Sequence, residues 1–121
     1  AIRVQIGEHC LPLSQITMGL ATCKLVARHS WAIITAANPY SQILAELKNQ
    51  QRHHQLRSHL AELQLPWLEA LGMDQTGIWT PEQSFCILGI GRLEAIAIGR
   101  QFEQNAIVYG ELDQPAELQW L

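Results

Sequence analysis

Charge is scarce in this chain. Asp, Glu, Lys and Arg together make up 16% of its 121 residues, where a soluble domain usually carries about a quarter. Eight Lys and Arg residues are scattered without a run, and the formal net charge is −3 with His neutral. Nucleic-acid binders carry a basic patch or stripe, so the sequence argues against a nucleic-acid partner. Disorder needs many charges and few apolar groups. Here 48% of the residues are apolar, enough to bury a core. The thin coat of charge also leaves room for self-association, and a homo-oligomer is compatible with it.

Cysteine is equally sparse. Cys10, Cys23 and Cys86 form an odd set at no spacing that matches a disulfide or zinc framework. The expectation is reduced, mostly buried thiols in a reducing compartment. Apolar runs fall short of the ~20 residues that span a bilayer. Residues 1–30 lack the basic-then-apolar order of a signal peptide. No membrane association and a cytoplasmic location follow by elimination. Also missing are a nucleophile elbow, a P-loop, a paired-cysteine motif, an internal repeat, a low-complexity tract and a linker. The length fits one domain, and no cofactor is implied.

What is present is a clear alternation of patterns. Ile2-Arg3-Val4-Gln5-Ile6 alternates apolar and polar, the signature of a half-buried strand ended by Gly7. Residues 11–26 are interrupted by Pro12 and Gly19, and a short helix is expected there. Trp31 to Ala36 is a continuous apolar run with β-branched members, which fits a central strand buried on both faces. Asn38-Pro39-Tyr40-Ser41 stops it, and Ser41 or a neighbour could cap the helix that follows. Residues 45–63 hold the longest helical pattern. Leu56, Leu60 and Leu63 mark one face, which fades toward the N-terminus into Asn49, Arg52 and His53.

Residues 65–71 and 84–90 read as two strands joined by a long turn over 72–83. Gly91 introduces a second helix at 92–103 that has only a narrow polar face and is expected to be deeply buried. Gln104-Asn105 ends it, a short strand follows at 106–109 and stops at Gly110, and residues 117–121 alternate as a final edge strand. The order over residues 31–109 is strand, helix, strand, strand, helix, strand. The expected fold is therefore α+β, a ferredoxin-like βαββαβ sandwich with both helices on one face of an antiparallel sheet. Added N- and C-terminal segments would extend the sheet at its edges. The whole chain is expected to be a single domain, with residues 1–30 as an extension packed on a 31–110 core.

Several short signatures stand out within that core. Thr35-Ala36-Ala37-Asn38-Pro39 is followed by Asn49 with Arg52, then Glu82 before a strand, then Phe102-Glu103-Gln104-Asn105-Ala106. These residues resemble an uncharacterised bacterial family, a domain of unknown function with the patterns T-A-x-N-P, N-x-x-R and F-x-Q-N-A. The resemblance covers about residues 31–110. It implies one domain over that span and carries no activity with it.

The residues themselves suggest one candidate ligand-binding site. Asn38 and Ser41 follow the carboxyl end of the central strand, and Asn49, Arg52 and His53 start the helix that leaves from that end. Ligands often sit at such ends, and a helix start favours anions. The plainer reading is that these groups cap a turn and tie down its loop. Gln104 and Asn105 join the candidate set. Their plainer reading is a left-handed helix cap at Asn105 and a glutamine serving loose carbonyls.

Other motifs carry less. His53, His54, His59 and the His9-Cys10 pair do not converge as zinc requires, so no metal site is expected. Gly89-Ile90-Gly91 lacks the third glycine of a dinucleotide loop, since Glu94 stands there, and fits a tight strand-to-helix turn instead. Glu82 near Trp79 could have a raised pKa, or be an ordinary solvated carboxylate. The four Trp residues are expected in core or edge packing. No catalytic residue is assigned. The sequence favours a small binding module for a small polar ligand or a protein partner. The alternative is a small enzyme or nucleotide-handling domain with a polar pocket after the central strand.

Overall fold

A computed structural model describes residues 2–6, 9–12, 30–74, 81–111 and 114–121. Among the described residues the chain is α+β, with an antiparallel sheet, two α-helices and a short 3-10 turn at Pro39–Ser41. The strands are β1 (Ile2–Ile6), β2 (His9–Pro12), β3 (Ser30–Thr35), β4 (Trp67–Asp74), β5 (Glu82–Leu88), β6 (Ala106–Glu111) and β7 (Glu117–Trp120). The helices are α1 (Glu46–Glu62) and α2 (Arg92–Gln101). The sheet order is β2-β1-β4-β5-β3-β6-β7, and every neighbouring pair is antiparallel.

The apolar run at Trp31 forms β3, paired to β5 on one side and β6 on the other. Four of its six residues are buried, as a strand covered on both faces requires. One face carries Ala32 and Ile34, with Phe85 and Ile87 of β5 and Ile107 and Tyr109 of β6. Leu56 and Leu60 of α1 and Ala95 and Ile98 of α2 pack into that same cluster. The opposite face carries a second cluster of Trp31, Ile33, Ala70, Cys86, Leu88 and Val108. Each fully buried Leu, Ile or Phe contributes about 1.5–3 kcal/mol, so these two layers dominate stability. No helix of the described residues is long and apolar enough to cross a membrane.

Several expected boundaries move, each for a tertiary reason. Gly72 does not open a long turn. β4 runs on to Asp74, with Gly72 opposite Glu82 in β5 and Met73 opposite Arg3 in β1. Pairing on both sides overrides the local turn signal. Gly110 does not end β6, which continues to Glu111. Trp31 faces Gly110 across the ladder, and a Cβ there would collide with the indole ring. The helix expected over 11–26 begins instead in β2 at Leu11 and Pro12, and its remainder lies outside the described residues, as does Trp79. Leu63 leaves the α1 stripe, 41% exposed, because the helix ends at Glu62 and Gln64 turns left-handed.

α2 is also less buried than its composition suggests. Ala95, Ile98 and Gly99 face inward, while Leu93 is 82% exposed. Gly99 lets the helix lie close, since a Cβ there would stand 2.8 Å from Ile107 Cγ2 and 2.6 Å from Leu121 Cδ1. Gly89, left-handed at φ 77°, and Gly91, the N-cap of α2, make the expected strand-to-helix turn. Trp120 is 68% exposed, whereas Trp31 is fully buried and Trp67 meets Phe85 edge-on. Cys86 is a free, buried thiol that desolvation pushes up to about 12, so it is inert rather than reactive.

Candidate functional site

The chain leaves β3 through residues 36–41, an irregular stretch that is buried at its start. Ala36 and Ala37 are almost fully enclosed. Buried backbone without a ladder must find other partners, and the polar signature residues supply them. The Arg52 Nε–H donates to the Ala36 carbonyl at 2.5 Å. The Ala37 N–H donates to Thr35 Oγ1 at 3.0 Å, and the Ala37 carbonyl accepts from Gln104 Nε2 at 3.0 Å. The Asn38 N–H donates to Asn49 Oδ1 at 3.0 Å. The Tyr40 N–H donates to the Glu103 carbonyl at 2.7 Å.

Asn38 is left-handed at φ 49°, a conformation Asn tolerates. Its Oδ1 accepts from Asn49 Nδ2 at 2.8 Å and from the Leu44 N–H at 3.0 Å. Two asparagines eleven residues apart are therefore joined twice, which clamps the loop to the first turn of α1. The N-cap of α1 is Ala45, which makes no side-chain cap hydrogen bond. Ser41 is not that cap; its hydroxyl accepts from Asn105 Nδ2 at 2.7 Å instead.

The same residues close the far end of α2. Arg52 Nη2 donates to the Phe102 carbonyl at 2.6 Å, and Nη1 stands 3.5 Å from Glu103 Oε1. Gln104 Nε2 also donates to Phe102 O at 3.1 Å. The left-handed residue that ends the helix is Glu103 at φ 60°, not Asn105. Arg52 thus bridges the exit of β3 and the exit of α2. Charge-assisted bonds to carbonyls are worth about 1.5–3 kcal/mol each. Of the expected site residues, Asn38, Ser41, Asn49, Arg52, Gln104 and Asn105 come together at this end of the sheet.

His53 does not join them. Its ring lies flat on Phe85, 4.2 Å between centroids and 6° between planes. Its Nε2 stands 3.3 Å from Glu69 Oε2 on β4, and Arg57 Nη2 donates to the other oxygen of that carboxylate at 2.7 Å. Burial holds the His53 pKa below its ordinary value, against the pull of Glu69.

Three participants were not in the expected set. Thr35 donates its hydroxyl to the Gln83 carbonyl at 2.7 Å, and its place in T-A-x-N-P was the available signal. Glu103 contributes a carbonyl and a carboxylate, and no pattern marked it. Tyr40 contributes its N–H, and its left-handed backbone has no sequence signal. Glu82 enters β5 at the same end of the sheet on the opposite face, with burial pushing its carboxyl up. Among the described residues, no group of three or more His, Cys, Asp or Glu is placed to hold a metal ion.

The interlocked segments span from β3 to the start of β6, and this is the stretch that comparison with known proteins identifies. No curated protein and no solved structure matches the chain. The family model described as Protein of unknown function (DUF3293) matches residues 34–107, more than half of the sequence. The chain belongs to this family of proteins of unknown function.

Proposed function

We propose that this chain is a binding module that docks a protein partner through the loop following β3. One observation carries the reading. Asn38, Tyr40 and Ser41 all have left-handed backbones, at φ 49°, 50° and 62°. This conformation costs roughly 1–2 kcal/mol for a residue with an ordinary side chain. Strain of this kind persists only where the surroundings impose it, and it concentrates at functional positions. Here the Asn38–Asn49 pair and the Glu103 carbonyl impose it.

The strained loop keeps apolar groups in solvent. Tyr40 is 58% exposed and Ile43 75%, with Leu47 of α1 at 67%. Trp120 lies at the same end, one residue before Leu121, whose N–H donates to the Asn105 carbonyl. Tyr and Trp are the residues that most often anchor protein interfaces, and a rigid base lowers the entropy lost on binding. The amide and guanidinium donors named above serve the protein's own backbone. That favours a protein partner over a small polar ligand, and over an enzyme or nucleotide-handling site built on those groups.

The fold reading that accompanies this proposal is a ferredoxin-like core of β3-α1-β4-β5-α2-β6. The order β4-β5-β3-β6 within the sheet supports it, with β1, β2 and β7 as additions. A cytoplasmic setting belongs to the same proposal.

The test combines a photoreactive residue at Leu47 with the double variant Tyr40→Gly, Ile43→Ser. Glycine relieves the left-handed strain, so thermal stability is expected to be equal or higher. The partner identified by crosslinking, purified and titrated, is expected to bind the parent chain and not the variant. Equal binding by both overturns the reading. A thermal shift of the parent chain by a metabolite or nucleotide, abolished by Arg52→Met in a variant that still folds, favours the small-ligand alternative.

A further inference from the structure

We propose that His53 is an acid-sensitive latch, so that taking up one proton there loosens α1 from the sheet. The inference is independent of the docking proposal. His53 is 7% exposed and wedged between α1 and the strands. Nε2 faces Glu69, and a carboxylate can only accept, so the neutral ring carries its proton on Nε2. Nδ1 is then a bare acceptor. It is buried and has no hydrogen-bond partner among the described residues. The neutral ring already forgoes one hydrogen bond there, and protonation makes the position worse. A proton taken up must go to Nδ1, which becomes a buried donor with no acceptor, and a charge is enclosed with it.

Two groups oppose that penalty and two add to it. Glu69 from β4 attracts the cation, but it is 56% exposed and already bonded to Arg57 at 2.7 Å. The face of Phe85 from β5 also favours a cation. Arg57 and His54 from α1 repel it. Enclosure outweighs the attraction, so the protonated ring is better accommodated once α1 lifts away. His53 directly follows Arg52 and lies one turn beyond Asn49, the two α1 side chains that bond the Ala36 carbonyl and the Asn38 N–H. Loosening this turn of α1 therefore also frees the root of the loop after β3, at Ala36 and Asn38.

The sign follows from linkage. A folded-state pKa below the ordinary 6.5 means that the unfolded chain binds the proton first as pH falls. This contribution to stability is complete above 6.5 and is lost progressively below it, until the folded pKa is passed. The loss is at most about tenfold in the unfolding equilibrium constant per pH unit.

Thermal and denaturant unfolding of the full chain between pH 7.5 and 5, with amide exchange at Asn38 and Leu44, whose hydrogen bonds depend on Asn49, test the latch. His53→Phe keeps a flat ring on Phe85 and removes the titration. The parent chain is expected to lose stability and protection of both amides together as pH falls, and His53→Phe to show a shallower slope. Glu69→Gln, which removes the attraction, is expected to deepen the loss. Identical slopes for the parent and His53→Phe overturn the proposal. A direct NMR titration of the His53 ring in the parent chain decides the matter even where the variant fails to fold. A ring that titrates below the ordinary histidine value in step with the loss of Asn38 amide protection upholds the latch, and one that titrates at or above it, or with that protection unchanged, overturns the latch.

Discussion

At the residue scale, the informative side chains are those whose environment works against them. Glu82 enters β5 half-buried with its carboxyl pushed up by desolvation. A raised folded pKa means that the ionised form is penalised in the native state. The penalty is present at neutral pH and is relieved as pH falls through the folded pKa toward the ordinary 4.5. Glu82→Gln is therefore expected to raise the thermal midpoint at pH 7 by roughly 1–3 °C. The gain should shrink as the medium is acidified, and thermal scans across a pH series check it. This dependence runs opposite to that of His53, so the two can be separated in a single experiment. Of the side chains at this scale, His53 was legible as part of a polar face on α1. Its separation from Arg52 was not, because adjacent helical residues diverge by ~100° and only the position of β4 decides that Glu69 receives it.

At the element scale, α1 is held at its start by side chains and at its middle by packing. Its apolar stripe is short, with Leu56 and Leu60 fully buried, and the preceding turns rely on Asn49 and Arg52. Arg52→Met is expected to leave the Ala36 and Phe102 carbonyls without their strongest donor and to cost about 3–5 kcal/mol. Chemical denaturation checks that figure. Arg52→Lys should recover only part of the loss, since an ammonium lacks the planar fork that reaches two carbonyls at once. The fading of leucines into amides along this helix was legible in the pattern. The identity of each partner was not. Asn49 meets Asn38, eleven residues away, and Gln104 meets Ala37, 67 residues away; periodicity carries no information about such pairings.

At the scale of the whole molecule, the sheet is assembled by close approaches that two glycines permit. Gly110 leaves room for the Trp31 indole across β3 and β6. Gly110→Ala is expected to destabilise the fold by about 3 kcal/mol or more, because the ring is fully enclosed and has nowhere to move. Gly99→Ala is expected to cost less, about 1–3 kcal/mol, since the end of the Leu121 side chain can yield. Comparing the two denaturation midpoints checks the order. Local pattern was enough to read the class of fold, the places of β1, β3, α1, α2 and the closing strands, and the clustering of polar signatures after β3. Hydrophobic period and turn chemistry act locally, so they can be read residue by residue. Long-range packing was needed to reveal β2, the continuation of β4 and β6 past their glycines, and the bonding of six of the seven expected site residues to one another and to the backbone. Those outcomes depend on which strand lies beside which, and a ladder neighbour or a carbonyl acceptor far along the chain exerts its force only after the sheet has brought it near.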